Sequence, residues 1–286
     1  DKPSRGNVAA DKPIRLPYMV VMDTSPSVLA GFPTILDSGD PAVAETLNPD
    51  GKGGFFLLAC HAGRTIPRSL GTLGLDETAL STHIGWDIGA GDVVRRLSPR
   101  LDAPAVLATY SRLVIDLNRL PGAVDSIPGE SDGTIIPGNR DLDNAARTRR
   151  IDEIFWPYHN RVAETFAARW NGGHPTALVA IHTFTPRLKG GLPRPWEAGI
   201  LWNRDDRLAL ALIRHLRDRG VRVGENEPYS GRYFGFSMDY HAGDAGVPHV
   251  GIEIRQDLVD SPGAADRWAD LLADALRAGN PSWAGP

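Results

Sequence analysis

The chain has 286 residues, of which 42% are hydrophobic and 23% are charged, proportions typical of soluble globular proteins. These proportions exclude a collagen-like repeat, a coiled coil and a wholly disordered chain, and no apolar run approaches the roughly 20 residues that a membrane-spanning helix needs. The 31 basic and 35 acidic residues give a net charge of −4 without a long basic run, so neither nucleic acid nor a membrane is an expected partner.

Short apolar runs and longer amphipathic segments follow one another from residue 55 onwards. The apolar runs predict strands over residues 55–60, 105–110, 112–117, 177–182, 221–223 and 250–254. The amphipathic segments predict helices over residues 87–101, 141–170, 205–219 and 264–278. We expect Pro157 to break or kink the second of these helices and Gly220 to end the third.

The alternation of strands with helices predicts one α/β domain over residues 13–286. Its sheet is expected to be mixed but mostly parallel, with helices on both faces, because strands that are buried on both sides need a layer on each. Residues 1–12 lack the pattern of a signal peptide and are expected to form a disordered arm. Residues 121–140 and 184–203, rich in proline and glycine, predict long loops of the kind that often carry function.

Several common catalytic and nucleotide-binding motifs are absent from the sequence. It contains no GxxxxGKS/T, GxGxxG or HExxH pattern, and no GxSxG nucleophile elbow between a predicted strand and a predicted helix. The single cysteine, Cys60, excludes an intrachain disulfide and a cysteine metal cluster, and it favours a reducing, cytoplasmic location. Adjacent strand residues point to opposite faces, which disfavours a catalytic pair made by Cys60 and His61.

Polar residues follow several predicted strands at the point where each strand ends. They are His61, residues 116–119, His182, and Glu253 with Arg255. Ligands bind beyond the carboxyl ends of the strands in parallel α/β sheets, so these side chains are expected to converge. Two imidazoles and a carboxylate are a common zinc ligand set, and a further carboxylate can take a proton from water. The pattern favours a metal-dependent hydrolase, although each residue taken alone could be structural.

Eight short segments occur in a specific order along the chain. Three of them are HAGRTIP at residues 61–67, HIGWDIGA at 83–90 and YSRLVIDLNR at 110–119. The others are PYH at 157–159, IHTFTP at 181–186, RPW at 194–196, NEPYSG at 226–231 and IEIRQDL at 252–258. In this order the segments resemble the N-formylglutamate amidohydrolase family. The resemblance implies the phosphorylase/hydrolase-like α/β fold of the zinc carboxypeptidase-like hydrolases.

The resemblance also implies a site for one divalent metal ion, with zinc as the expected metal. His61 and His182 would be two of its ligands. Carboxypeptidases have a glutamate ligand three residues after the first histidine, but this chain has Arg64 there. We therefore expect Asp87 to be the carboxylate ligand, with His83 as an alternative ligand or a supporting group.

The same resemblance implies the remaining roles in the site. Glu253 would be the general base, and Asn118 with Arg119 would grip a substrate carboxylate. Four further residues are candidates for substrate binding: Arg112, Tyr229, Arg232 and Arg255. An ion pair would explain Arg112 equally well, a turn would explain Tyr229 and Arg232, and Arg255 could instead orient Glu253.

The expected activity is hydrolysis of a small N-acyl amino acid, with N-formylglutamate as the default substrate. The metal would polarise the amide carbonyl and activate water, and the glutamate base would pass the proton to the leaving amine. One alternative is a carboxypeptidase or amidase that acts on a larger ligand. Another is a degenerate family member that binds a carboxylated ligand without turnover, because Cys60 and Arg64 depart from the family pattern.

Overall fold

A computed structural model describes residues 34–172, 174, 176–243 and 245–279. The arm expected over residues 1–12 lies outside the described residues. The strands are β1 (Ala44–Leu47), β2 (Phe55–Ala59), β3 (Ala105–Ala108), β4 (Glu130–Ser131), β5 (Thr134–Ile135), β6 (Ala177–Phe184), β7 (Ala198–Leu201), β8 (Val223–Glu225) and β9 (His249–Arg255).

Seven of these strands form one mixed sheet in the order β1-β3-β2-β6-β9-β7-β8, and β4 pairs with β5 in a separate hairpin. Strands β3, β2, β6 and β9 are parallel to one another, and β7 is parallel to β8. Strand β1 runs antiparallel to β3, and β7 runs antiparallel to β9. The prediction of a mixed, mostly parallel sheet is therefore confirmed.

Helices cover both faces of the sheet, as predicted. The α-helices are α1 (Glu77–Leu80), α2 (Ala90–Leu101), α3 (Asn144–Arg150), α4 (Trp156–Asn171), α5 (Arg207–Asp218), α6 (Phe236–Met238) and α7 (Pro262–Ala278). Helices α2, α5 and α7 bury their apolar stripes against one face, and α4 packs with buried loops against the other. None of the described helices is both long enough and apolar enough to cross a bilayer.

The prediction of a strand over residues 112–117 is wrong. The N–H of Leu113 donates to Oγ of Ser111 at 3.1 Å, and the N–H of Val114 donates to the Ser111 carbonyl at 2.9 Å. These bonds turn the chain immediately after β3. The apolar side chains of the segment are buried all the same, and an apolar run without periodicity does not distinguish a buried strand from a buried loop.

Two four-residue strands, β1 and β7, are not predicted from the sequence, and β7 lies inside the predicted loop 184–203. The helix predicted over residues 141–170 is made of α3, a π-helical turn at Ile151–Phe155, and α4. The π-turn stops two residues before Pro157, whose ring and missing N–H disturb regular α-helical bonding. Gly220 has a φ of 80° and follows the C-cap of α5, as predicted.

A buried guanidinium ties the segment after β3 to helix α3. Arg150 is 2% exposed. It donates to the carbonyl of Val114 at 2.9 Å, to Oδ1 of Asn139 at 2.7 Å and to the carbonyl of Gly138 at 3.2 Å. One side chain thus satisfies three acceptors in loops that would otherwise be held by few regular hydrogen bonds.

Replacing Arg150 with leucine should therefore destabilise the fold. Two buried acceptors and one partly buried acceptor would lose their donor, and we expect the free energy of unfolding to fall by about 3 kcal/mol. Urea denaturation measures the change. The matched control is Arg161→Leu, which removes an exposed arginine 3.8 Å from Glu164 and should cost less than about 0.5 kcal/mol. Equal losses in the two variants would contradict the role of Arg150.

Candidate active site

A cavity of about 290 Å³ opens at the carboxyl ends of the parallel strands. Its floor is formed by polar side chains, among them His61, Asp87, Asp116, His182 and Glu253. Both long loops predicted from the sequence contribute to its wall. The first supplies Ser131 and Asp132, and the second supplies Phe184, Thr185, Leu188 and Leu201.

The sheet register brings the predicted site residues together. His182 is directly opposite Glu253 in the parallel pair β6–β9, and His61 follows β2, the other neighbour of β6, by two residues. The N–H of Asp87 donates to the His61 carbonyl at 2.9 Å, which fixes the approach to α2. Gly89 caps that helix with a φ of 83°, and a Cβ there would lie 2.7 Å from Val259, so the turn requires glycine.

The carboxylate of Asp87 lies between two buried histidines. Its Oδ2 accepts a hydrogen bond from Nδ1 of His182 at 2.7 Å and lies 3.5 Å from Nδ1 of His61. The N–H of Thr183 donates to the same oxygen at 3.3 Å. All three site residues are less than 7% exposed, so water contributes little to the solvation of their charges.

A second buried carboxylate, that of Asp116, orients His61 through the other nitrogen of its ring. Nε2 of His61 donates to Oδ1 of Asp116 at 2.7 Å. Arg112 holds the other oxygen of Asp116 through Nη2 at 2.6 Å and Nε at 3.1 Å. Nη1 of Arg112 also lies 3.6 Å from Oδ1 of Asp87. Arg112 also lines the cavity, but its guanidinium is paired with both carboxylates of the site.

The pKa of each of these groups depends on the charges of its neighbours. Burial raises the pKa of Asp87, but His61 and His182 outweigh it and hold that pKa well below the usual range. Burial acts on Asp116 in the same way, and Arg112 and His61 keep its pKa low. Burial and Arg112 lower the pKa of His61, whereas its anionic neighbours, with Asp116 foremost, raise it to about 9. The two carboxylates therefore require positive charge beside them.

Glu253 has the opposite environment. Burial raises the pKa of its carboxyl group to about 7, and this effect of burial outweighs the lowering by the nearby positive charges, of which His182 is the strongest. Its Oε2 is buried and has no hydrogen-bond partner among the described residues. A carboxylate with a pKa near neutrality is suited to accept and return a proton.

Two groups of donors are candidates for a metal site. In one of them, Oδ2 of Asp87 lies 2.7 Å from Nδ1 of His182 and 3.5 Å from Nδ1 of His61. The other consists of donors from Cys60, His61 and His182, which lie within 4.8 Å of one another. Cys60 is fully buried and does not line the cavity, whereas Asp87 does. Because a catalytic metal keeps a position open to substrate, the set with Asp87 fits hydrolysis better.

The chemistry of the Asp87 set also fits a divalent metal. Nδ1 of His61 is buried and has no hydrogen-bond partner among the described residues, while its Nε2 is held by Asp116. This is the arrangement in which a carboxylate orients a histidine ligand. Cys60 lies behind the second histidine in a similar way, with Sγ 3.5 Å from Nε2 of His182.

Besides Arg112, three of the residues predicted to bind substrate line the same cavity: Asn118, Arg119 and Tyr229. Oδ1 of Asn118 accepts the N–H of Ser237 at 3.0 Å, so its NH₂ group remains the donor for a ligand. The guanidinium of Arg119 lies over the ring of Phe234 at 4.6 Å and pairs with the exposed Asp125 at 3.2 Å. The pair Asn118–Arg119 thus offers hydrogen-bond donors and positive charge to an anion.

The structure puts three other arginines outside the cavity lining. Arg232 is exposed. Arg255 pairs with Asp257 at 2.7 Å and donates to two loop carbonyls. Arg64, which departs from the family pattern, is also directed away from the cavity, because it pairs with Glu77 at 2.8 Å on the surface.

Sequence reasoning missed the part played by Asp116 and by a pair of buried histidines. Nε2 of His241 donates to Nδ1 of His159 at 2.9 Å, and Nε2 of His159 donates to the Leu117 carbonyl at 3.0 Å. Burial lowers the pKa of His159 to about 3 and keeps it neutral. The acid at the start of the run 116–119 was a visible signal, but nothing in the sequence links residues 159 and 241.

His83, the alternative ligand predicted from the sequence, lines the cavity and pairs with Asp132. Its Nε2 is 3.1 Å from Oδ2 of Asp132 at the tip of the β4–β5 hairpin. The N–H of Lys189 donates to the same carboxylate at 3.0 Å. His83 thus belongs to the contacts that join the two long loops at the mouth of the cavity.

Comparison with known proteins gives a consistent result. The family model for N-formylglutamate amidohydrolase matches residues 54–259. The crystal structure of a gene product from Agrobacterium tumefaciens is 36% identical, with a TM-score of 0.82, and the match covers 86% of this chain and 97% of that one. The crystal structure of N-formylglutamate amidohydrolase from Ralstonia eutropha shares the fold at 19% identity and a TM-score of 0.59, over 84% of this chain and 97% of that one. A search of curated protein sequences found no match.

The two donor sets predict different metal contents for two variants. We expect wild-type protein to bind about one divalent ion per chain. Asp87→Ala should lose most of it, because a ligand is gone, whereas Cys60→Ala should keep it. Elemental analysis after dialysis against zinc measures the content, and circular dichroism checks the fold of both variants. Loss of metal in Cys60→Ala with full retention in Asp87→Ala would reverse the assignment.

Proposed function

The chain belongs to the N-formylglutamate amidohydrolase family, and we propose on this basis that it hydrolyses the amide bond of a small N-acyl amino acid with one divalent metal ion. N-formylglutamate is the default substrate. The observation that carries the proposal is the meeting of two imidazole nitrogens with the Asp87 carboxylate, beside a buried glutamate whose pKa is raised to about 7. The cavity of about 290 Å³ is of a size for a small molecule.

His61, Asp87 and His182 would hold the metal ion, with zinc as the expected metal. Such an ion supplies Lewis acidity toward the amide carbonyl and makes water easier to deprotonate. Asp116 keeps Nε2 of His61 protonated, so that its Nδ1 faces the site. Arg112 fixes Asp116 in turn, and it serves the ligands rather than the substrate.

Glu253 is the proposed general base. Its carboxylate takes a proton from the attacking water and returns it to the nitrogen of the leaving amine. The oxygen of water forms a bond to the acyl carbon while the C–N bond breaks, so the products are a carboxylate and a free amino acid. A carboxyl group with a pKa near 7 can both accept the proton from water and release it to the leaving amine.

Asn118 and Arg119 would bind the carboxylate of the amino acid. The NH₂ group of Asn118 and the guanidinium of Arg119 are directed by their contacts with Ser237 and Phe234. Tyr229 lines the same cavity, and its pKa is raised by burial and by the charge of Glu253, so its hydroxyl stays protonated and able to donate.

The proposed base gives the first test of this function. Glu253→Gln keeps the size of the side chain but cannot accept a proton, so kcat should fall by at least about a hundredfold. Metal content and thermal stability should remain close to wild type. The measurement is steady-state hydrolysis of N-formylglutamate with zinc-loaded protein. A variant with near-normal turnover would transfer the base role to another residue.

The second test concerns Asn118 and Arg119, which we call the carboxylate grip. A substrate amidated at the carboxylate loses a charge-assisted contact, and kcat/KM should fall by about tenfold to a hundredfold. Arg119→Ala should remove most of this preference for the acid over the amide. The control is Arg232→Ala, an exposed arginine outside the cavity, which should preserve the preference. If wild-type protein cleaves acids and carboxamides equally well, Arg119 does not bind the substrate carboxylate.

A further inference from the structure

The peptide group between Leu117 and Asn118 is hydrogen-bonded at both of its ends. Its N–H donates to Oδ1 of Asp116 at 2.9 Å. Its carbonyl oxygen accepts two hydrogen bonds, one from Nε2 of His159 and one from Oγ of Ser237, each at 3.0 Å. Three side chains thus hold the one peptide group that leads into the carboxylate grip.

The N–H end of this peptide group is connected to a proposed metal ligand. Oδ1 of Asp116 also accepts a hydrogen bond from Nε2 of His61 at 2.7 Å, so one carboxylate oxygen contacts both the ligand and the backbone of the grip. Arg112 holds the other oxygen of Asp116 at 2.6 Å. The placement of Asn118 relative to His61 is therefore set by a side chain that is itself fixed.

The carbonyl end of the peptide group is held by a pair of buried histidines. His159 is 1% exposed and His241 is 5% exposed. A carbonyl oxygen only accepts, so Nε2 of His159 carries a proton, and in a neutral ring Nδ1 is then an acceptor. Nε2 of His241 donates to that Nδ1 at 2.9 Å. His241 thus fixes the tautomer of His159 in which Nε2–H faces the Leu117 carbonyl.

Ser237 connects the same carbonyl to the side chains of the grip. Its N–H donates to Oδ1 of Asn118 at 3.0 Å, which leaves the NH₂ group of Asn118 for a ligand. Three residues earlier in the chain, the ring of Phe234 lies beneath the guanidinium of Arg119 at 4.6 Å. Segment 234–237 therefore orients both side chains of the grip, while His159 holds the backbone that carries them.

Filling space does not explain a histidine at position 159. Its ring packs against three others, at centroid distances of 4.4 Å for Phe155, 5.4 Å for Phe236 and 5.7 Å for Tyr240. A phenyl ring would fill the same space, whereas a buried imidazole costs free energy unless its polar atoms are paired. What the histidine adds is two hydrogen bonds, and one of them is made to the backbone of the grip.

We propose that His159 is a positioning residue for the reaction, which acts through the Leu117 carbonyl to fix the carboxylate grip at one separation from the metal ligands. This inference rests on the proposed function and deepens it. A fixed separation suits one spacing between the carboxylate and the amide nitrogen of the substrate, and in an α-amino acid that spacing is one carbon. A substrate with one carbon more must displace the grip or leave its amide bond misplaced at the reaction site.

Two isomeric substrates of equal charge test the proposal. N-formylglutamate has one carboxylate a single carbon from its nitrogen, whereas both carboxylates of N-formyl-β-glutamate are two carbons away. His159→Phe keeps the ring but has no donor, so KM for N-formylglutamate should rise about threefold to tenfold, the effect of one hydrogen bond. Its kcat and zinc content should stay within about twofold of wild type, because Arg112 still holds Asp116. The preference for the α-isomer in kcat/KM should fall by the same factor as KM rises.

Two further variants separate positioning from a merely structural role. The amide of His159→Gln has a donor for the Leu117 carbonyl and an acceptor for His241, so KM and the isomer preference should return to within about twofold of wild type. The control Phe155→Leu removes a buried ring 4.4 Å from that of His159 that cannot form these hydrogen bonds. It should lower the melting temperature and leave KM and the preference unchanged.

The second donor to the carbonyl gives an independent check. Ser237→Ala removes the hydroxyl but keeps the N–H that donates to Asn118, so KM should rise to a similar extent. In the double variant with His159→Phe the buried carbonyl has neither donor, and KM should rise by more than the product of the two single effects. Effects that simply multiply would show that the two side chains do not act through one carbonyl.

The outcomes distinguish this inference from the function on which it rests. If wild type hydrolyses N-formylglutamate, and His159→Phe changes neither KM nor the isomer preference, the inference is wrong and the proposed function stands. Equal changes of KM and preference in Phe155→Leu would also overturn it. If wild type hydrolyses neither isomer, the proposed function fails, and calorimetry with N-formylglutamate decides the inference. Binding that His159→Phe weakens and His159→Gln restores supports it, whereas equal affinities or no binding to wild type overturn it.

Discussion

The buried carboxylate of Asp87, held between His61 and His182, is the interaction on which the rest of the site depends. A carboxylate removed from water is stable only if positive charge and hydrogen-bond donors replace its hydration. Oδ2 receives a hydrogen bond from His182 at 2.7 Å and one from the Thr183 backbone at 3.3 Å. The remaining demand for positive charge can be met by protons on the imidazoles or by a divalent cation, and metal binding would then release those protons.

The need to balance buried negative charge also explains the contacts of the residues behind His61 and Asp87. Asp116 orients His61, and Arg112 balances the charges of Asp116 and Asp87 together, so its guanidinium is paired with these carboxylates and serves the proposed metal ligands. Beneath these residues, neutral His159 donates to the Leu117 carbonyl and steadies the turn that carries the carboxylate grip. Ionic groups thus lie at the proposed metal ligands, and uncharged hydrogen bonds lie behind them.

The sequence predicted those parts that depend on burial and periodicity. Strand β6 and its histidine follow from an apolar run with a polar end, and the matching register of Glu253 follows from a parallel neighbour. Strands β1 and β7 were not predictable in this way, since four residues give almost no periodic signal. The apolar run over residues 112–117 was wrongly predicted as a strand, because its side chains are buried in a turn that is hydrogen-bonded to Ser111. Contacts between distant residues, such as Asp116 with His61, arise only when separate loops meet at one sheet edge.

The most direct test of this account is X-ray absorption at the zinc edge of protein loaded with one equivalent of zinc. Ligation by His61, Asp87 and His182 should give a coordination sphere of nitrogen and oxygen atoms only, at about 2.0–2.2 Å, with the multiple scattering of two imidazoles. A sulfur atom at about 2.3 Å would show that Cys60 rather than Asp87 completes the site, and protein that binds no zinc would contradict the metal centre itself.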